Sequence, residues 1–250
     1  MAGAPIIETQ ALTKIYRGQV AVDRLTFTVG EGEVFGFLGP NGAGKTTTLL
    51  MLLGLTEPTG GTARVMGLDP AREPIAVKAR VGYLPENMGF YPDLDARQML
   101  DYVGQLNGIG RRELAEHIDR ALDDVGLAAE SRKKIGAFSR GMRQRLGIAE
   151  LLIKDCRVAF LDEPTLGLDP DATIRIMGLI ESLAREKGMT ILISSHQLQQ
   201  IEKVCHRVGI MIRGRMVAAG PMSELAQAKF GLDREEFTLE EIYMRYFLEA

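Results

Sequence analysis

The sequence predicts an α/β protein with a mainly parallel sheet, and three observations predict it. An apolar run at 34–38 passes through a glycine-rich turn at 39–46 into a helix-like run beginning Thr47-Thr48-Leu49-Leu50. Two further strand-length apolar runs, 157–161 and 190–194, flank a helical pattern at 171–186, the spacing of a parallel crossover unit. Between these two parts, residues 93–155 have an almost entirely helical pattern.

Taken in order, residues 6–11, 21–29 and 34–38 alternate or cluster as strands. The chain is therefore expected to open with an antiparallel β-lobe that feeds the strand before the glycine-rich turn. Val81-Gly82-Tyr83-Leu84-Pro85 is expected to be a short strand closed by proline. Helical patterns follow at 96–106, 111–125 and 141–154, with breaks at Gly108, Gly110 and Gly126. After the crossover unit, 207–219 forms a predicted hairpin turning at Arg213-Gly214. The tail, 221–250, holds a helical run at 222–230 and a loosely amphipathic one at 239–247, expected to pack on the domain; a dimer contact is the alternative.

Composition narrows the function classes. Of 250 residues 46% are hydrophobic, ample for a core, and a formal net charge of −3 gives no basic signal for nucleic acid. No run approaches the roughly 20 apolar residues of a membrane span, and Met1-Ala2-Gly3-Ala4-Pro5 does not open a signal peptide, so a cytoplasmic chain is expected. Cys156 and Cys205 stand apart without C-x-x-C spacing and are expected to be reduced core thiols.

The chemistry starts at Gly39-Pro40-Asn41-Gly42-Ala43-Gly44-Lys45-Thr46, a G-x-x-x-x-G-K-S/T loop between strand and helix. Gly39, Gly42 and Gly44 let successive backbone N–H groups turn inward on a phosphate chain, and the helix beginning near Thr47 adds its positive dipole end. Asn41 and Ala43 complete the cradle. Lys45, expected as an exposed loop cation, supplies a point charge, and the Thr46 hydroxyl is a Mg²⁺ ligand. The strand at 157–161 ends in Asp162-Glu163-Pro164 at the sheet edge where α/β proteins bind ligands. Asp162 suits the Mg²⁺-holding role and Glu163 the general base for an attacking water. His196, just after the strand at 190–194, belongs to the same edge and can donate to a γ-phosphate.

Phe138-Ser139-Arg140-Gly141-Met142-Arg143-Gln144-Arg145-Leu146 then distinguishes among nucleotide-binding proteins. With it the chain resembles the nucleotide-binding subunit of ABC transporters, whose signature is L-S-G-G-x-x-Q-R. The resemblance spans about residues 5–220 and presents its motifs in order. Tyr16 corresponds to the aromatic that stacks on adenine, 39–46 to Walker A, 81–86 to the Q-loop, and 158–163 to Walker B. Leu166-Gly167-Leu168-Asp169-Pro170 corresponds to the D-loop, with Asp169 its carboxylate, and His196 to the switch histidine.

The resemblance implies a P-loop ATPase core with a mainly parallel sheet, an N-terminal antiparallel β-lobe and a helical signature subdomain at about 93–155, the whole ATPase domain being 1–220. It implies ATP and Mg²⁺ as cofactors, and a second ATPase subunit whose nucleotide is met in trans by Ser139, Arg140, Gly141, Met142 and Gln144. A separately encoded integral-membrane permease, a place on the inner face of the cell membrane and no nucleic-acid partner are implied as well. Two departures stand out. Arg140 replaces the first signature glycine, and Glu86 replaces the Q-loop glutamine, keeping an oxygen ligand for Mg²⁺ while adding a charge. The run 84–92 resembles the branch of the family serving exporters with separate permeases. The alternative class, a soluble ABC ATPase acting on ribosomes or DNA, typically carries two cassettes or a long coiled-coil insertion, and this sequence shows neither.

Overall fold

Val34-Phe35-Gly36-Phe37-Leu38 is buried at every position, as a parallel strand covered on both faces must be. The structure, a computed structural model, describes residues 4–230 and 238–249. A hairpin of β1 (Ile7–Tyr16) and β2 (Gln19–Val29) leads into this strand, β3 (Val34–Leu38). After α1 (Lys45–Leu52) come β4 (Gly60–Val65), α2 (Pro74–Arg80) and β5 (Val81–Leu84). The helical part comprises α3 (Ala96–Leu106), α4 (Arg111–Asp124) and α5 (Arg140–Lys154). The chain then runs through β6 (Val158–Asp162), α6 (Pro170–Lys187), β7 (Thr190–Ser195), α7 (Leu198–Val204) and the hairpin β8 (Arg207–Ile212) with β9 (Arg215–Gly220). Two helices follow, α8 (Met222–Phe230) and α9 (Leu239–Glu249).

The strands form two sheets, an antiparallel β2-β1-β4 and a six-stranded β5-β6-β7-β3-β8-β9 whose only antiparallel pair is β8 with β9. Side-chain alternation along β3 assigns its two faces. Phe35 and Phe37 meet Phe27 of the antiparallel sheet with ring centroids 5.5 and 5.4 Å away. Val34 and Leu38 face the helical side, where Gly36 allows α7 to approach: a Cβ there would stand 2.6 Å from Ile201 Cγ2. In register, Leu38 lies beside Ser195 and Asp162 beside Ser194, so the carboxyl ends of β6, β7 and β3 fall on one line. That line positions the site.

The expected fold class is observed, with differences of detail. The first strand runs on to Tyr16 because register shifts within β1, with Ala11 at a φ of 47°, absorb the irregularity that hid its alternation. Its partner begins directly after a turn at Arg17-Gly18 with φ of 48° and 86°, a two-residue hairpin of the kind that suits strand twist. Arg213-Gly214 makes the same turn at the predicted place, with φ of 48° and 82°. The helical stretch is interrupted between α4 and α5 by turns and a short 3₁₀ segment, Ile135–Ala137. Cys156 and Cys205 are free and buried as expected, and burial pushes both thiol pKa values up.

The tail packs. Leu239 and Ile242 of α9 are fully buried against α7, α8 and β8, while Met244, Phe247 and Leu248 stay exposed. Truncation of a buried isoleucine leaves a cavity that this thin layer can only partly close. Ile242→Ala is expected to lower the unfolding free energy by about 2–4 kcal/mol, read by urea denaturation. An unchanged midpoint would make the tail an appendage.

Candidate nucleotide-binding site

The glycine-rich turn leaves β3 and enters α1 at Gly44, whose φ is 102°. A Cβ at that position would come 2.5 Å from the Ala21 carbonyl oxygen, so close packing on β2 and the left-handed backbone both demand glycine. No side chain caps α1 and its first turn holds no acidic residue. Its leading N–H groups therefore lack intrahelical acceptors and carry the positive end of the helix dipole. Asn41, Gly42, Ala43, Thr46 and Thr47 line a cavity of 310 Å³ with Tyr16, Glu86 and Glu163. Gly39 lies behind this wall, its carbonyl oxygen accepting from Lys45 Nζ at 2.6 Å.

The turn is braced from the opposite hairpin. The N–H of Gly214 donates to the Ala43 carbonyl at 3.0 Å, and the Gly214 carbonyl accepts from the Asp23 N–H at 2.8 Å. Tyr16 ends β1 at the mouth of the cavity, 43% exposed, with Lys14 Nζ 4.8 Å from its ring centroid. Gln19, Val20 and Ala21 share that wall. Sequence reasoning missed these three, although a strand restarting two residues after the Tyr16 turn must lie alongside it.

Lys45 corrects an expectation. It is not an exposed cation but 6% exposed, with Nζ 3.3 Å from Glu163 Oε1. The aliphatic stem folds under the turn, and the ammonium finds the Gly39 and Pro40 carbonyls as well as that carboxylate. Glu163, itself 6% exposed, follows β6 with a φ of 48°, a conformation that costs a non-glycine residue about a kcal/mol or more. Its N–H donates to the Ser194 carbonyl at 3.1 Å and to Ser194 Oγ at 3.2 Å. Ser194 Oγ in turn donates to Asp162 Oδ1. His196 Nδ1 stands 2.9 Å from Glu163 Oε2. Ser194 was missed as a site residue; its signal was its place across the sheet from Asp162.

These residues fit a magnesium triphosphate. The uncapped helix start and the glycine turn present N–H donors, and Glu163 Oε1 is a buried oxygen with no hydrogen bond, facing the cavity's cation. Asp162 and Glu86 are carboxylates whose charges, after burial, push the pKa of Tyr83 up to about 12. With the Thr46 hydroxyl they are hard oxygen donors. Among the described residues no cluster of three metal-ligating side chains exists, and Mg²⁺ characteristically takes one or two carboxylates, completing its shell with phosphate and water.

The remaining expected residues gather elsewhere. Ser139 caps α5, its Oγ accepting from the Met142 N–H at 3.2 Å. Ser139, Arg140, Gly141 and Met142 line a second cavity of 230 Å³ together with Gly167 and Asp169, and it shares no residue with the first. Asp169 is exposed and caps α6, accepting from the Ala172 N–H at 2.8 Å. Gln144 departs from the expectation: it is 1% exposed and does not line this cavity. Five positions beyond the cap, the helical turn carries it to the buried face of α5.

The chain matches the ABC transporter family over residues 22–166. It belongs to that family. The bacitracin transport ATP-binding protein BcrA of Bacillus licheniformis is 44% identical over 220 residues, 88% of this chain and 71% of that one. Nod factor export ATP-binding protein I of Paraburkholderia xenovorans is 38% identical over 227 residues, 91% and 74% of the two chains. A solved ATP-binding subunit of an ABC transporter superposes with a TM-score of 0.86 at 29% identity, covering 97% of this chain and 99% of that one. This ABC subunit thus binds and hydrolyses ATP.

The buried Lys45–Glu163 pair makes the ABC site a structural element too. Removing one partner of a buried pair strands the other charge, at a cost of about 3–5 kcal/mol. Lys45→Ala is expected to lower the unfolding free energy by about that amount, and adding Glu163→Gln to recover part of it. Urea titrations of the three proteins decide; a Lys45→Ala midpoint equal to wild type would show that solvent screens the pair.

Proposed function

We propose that this chain is the motor subunit of an ABC exporter. Two copies, or one copy and a close relative, close around two MgATP and drive a separate integral-membrane permease from the inner face of the cell membrane. The observation that carries the reading is the division of the expected ATP-binding residues between two cavities with no residue in common. An ATP held by the P-loop of one chain meets a Ser139 cap on another. The exporter assignment draws on relatives named for bacitracin transport and Nod factor export. No described helix is long and apolar enough to cross a membrane, and the path for cargo is assigned to the permease.

In this reading residues 1–220 are the ATPase domain. Tyr16 stacks on adenine, and N–H groups of the turn and the start of α1, other than that of Ala43, which donates to the Pro40 carbonyl, hold the β- and γ-phosphates with the Lys45 ammonium. Thr46, Asp162 and Glu86 would hold Mg²⁺, whose chemistry there would be to supply positive charge against that of the departing phosphoryl group. Glu163 takes the proton of the attacking water on its carboxylate. His196 donates through Nδ1 to Glu163, so its Nε2 can donate to the γ-phosphate only when the ring is doubly protonated. Ligand entry requires Lys45 to exchange Glu163 for phosphate oxygens, which releases the base for its water.

Glu163→Gln is expected to slow hydrolysis by about 100-fold or more while preserving ATP binding. Phosphate release and nucleotide titration measure the two, and hydrolysis at the wild-type rate would remove Glu163 from the base role. For Glu86 the charge decides: as a metal ligand it aids ATP binding with Mg²⁺ present and repels the γ-phosphate without it. Calorimetric titration of ATP into Glu86→Gln is expected to show a smaller Mg²⁺ dependence than wild type, with metal-free affinity equal or better. The same dependence in both proteins would exclude the ligand role.

A further inference from the structure

Tyr16 is the last residue of β1, the turn at Arg17-Gly18 follows at once, and its ring is 43% exposed. A ring at a strand end gains from stacking only what is left after its own freedom is lost. In this chain the end of β1 is strapped to the segment 56–59, which lies between α1 and β4. The Thr59 N–H donates to the Thr13 carbonyl at 2.8 Å, and the Ile15 N–H donates to Thr59 Oγ1 at 3.1 Å. Tyr16 Oη stands 3.5 Å from Thr56 Oγ1.

Lys14 completes the strap. Its Nζ donates to the Glu57 carbonyl at 2.5 Å and sits over the Tyr16 ring, 4.8 Å from the centroid. A backbone carbonyl fixes the ammonium without neutralising it, so the charge stays available to the ring at cation–π distance. Tyr16 lines the 310 Å³ cavity and Lys14 does not. A cation over one face draws ring electron density toward itself, which lessens the negative charge of the opposite face and eases stacking of a second π-system there.

We infer that Lys14 is a positioning residue for the nucleobase: anchored by the Glu57 carbonyl, its ammonium backs the Tyr16 ring and presents the cavity-side face to adenine. The inference rests on the stacking role proposed above for Tyr16. Lys14 acts through that ring alone, because the phosphates are met by the glycine-rich turn and α1. Its effect is therefore confined to ligands that carry a base.

The test titrates ADP and inorganic pyrophosphate, each with Mg²⁺, into wild type, Lys14→Met, Lys14→Arg and Tyr16→Ala by calorimetry. Neither ligand offers the enzyme a γ-phosphate to hydrolyse. Lys14→Met, which keeps the length of the stem and removes the charge, is expected to raise the ADP dissociation constant about two- to fivefold and to leave that of pyrophosphate unchanged. Lys14→Arg retains a cation over the ring and should stay near wild type. Tyr16→Ala is expected to weaken ADP about fivefold or more, again without change for pyrophosphate. Loss of ADP affinity in Tyr16→Ala with none in Lys14→Met would overturn the role of Lys14 alone. Equal weakening of both ligands by Lys14→Met would also overturn it, as the mark of a distant charge acting on phosphate. An unchanged ADP affinity in Tyr16→Ala would overturn the stacking reading itself, and with it this inference. Circular dichroism spectra that superpose show that the variants are folded.

Discussion

A buried carboxylate requires a counter-charge, and in this chain that requirement ties the fold to the site. Glu163 obtains that charge from Lys45 on one oxygen and a hydrogen-bond partner, His196 Nδ1, on the other. The three residues follow three different strands, β6, β3 and β7, so the arrangement exists only because β7 lies between the other two with their carboxyl ends level. Parallel pairing supplies that alignment, and the parallel sheet in turn needs both faces covered. Phe27 of the antiparallel sheet covers Phe35 and Phe37 on one, and helices including α7, through Ile201, cover the other. Disturbing either layer would tilt the strands and separate the charges.

The phosphate-binding turn is fixed by backbone rather than by side chains. Gly44 rests against the Ala21 carbonyl, Ala43 accepts from Gly214, and Gly214 accepts from Asp23. The antiparallel lobe and the β8–β9 hairpin thus clamp the loop between them before any ligand contributes. Such bracing sets the turn's backbone before binding, with only the Ala43 N–H among the described contacts of residues 41–47 taken by an internal acceptor, Pro40, and such preorganisation is costly to improvise at the moment of binding.

Local chemistry was legible in the sequence and long-range placement was not. The P-loop, the Asp162-Glu163 pair and the Arg213-Gly214 turn depend on contiguous residues whose conformations follow from composition. The length of β1 was hidden by bulges, which break alternation without ending a strand. Lys45 was expected in solvent because its neighbours are glycine and threonine; its burial comes from Glu163, distant in sequence. Ser194 gave no sign alone, since a serine ending a strand is unremarked until register sets it opposite Asp162. Gln144 belongs to a motif by sequence, but a motif on a helix has an inner and an outer side, and this residue falls on the inner one. Seven motifs in order pointed to the family; the fold set most of their members against one of two cavities.

That sorting has an electrostatic consequence. The P-loop cavity is lined by the carboxylates Glu86 and Glu163, the second paired with the Lys45 ammonium, so a triphosphate entering it meets negative charge that a divalent cation would offset. The signature cavity gathers three guanidinium groups around one engaged carboxylate. Each chain therefore carries a cavity with carboxylates and a cavity with guanidinium groups, lined by no common residue. In a two-fold arrangement a surface meets its own copy with the halves exchanged, and every contact is made twice. In the proposed dimer the nucleotide would complete the match, its phosphates held by one chain and its terminal charge directed at the other. Association of the kind proposed would strengthen with the third phosphate and weaken when that phosphate leaves, which is the cycle a motor subunit needs.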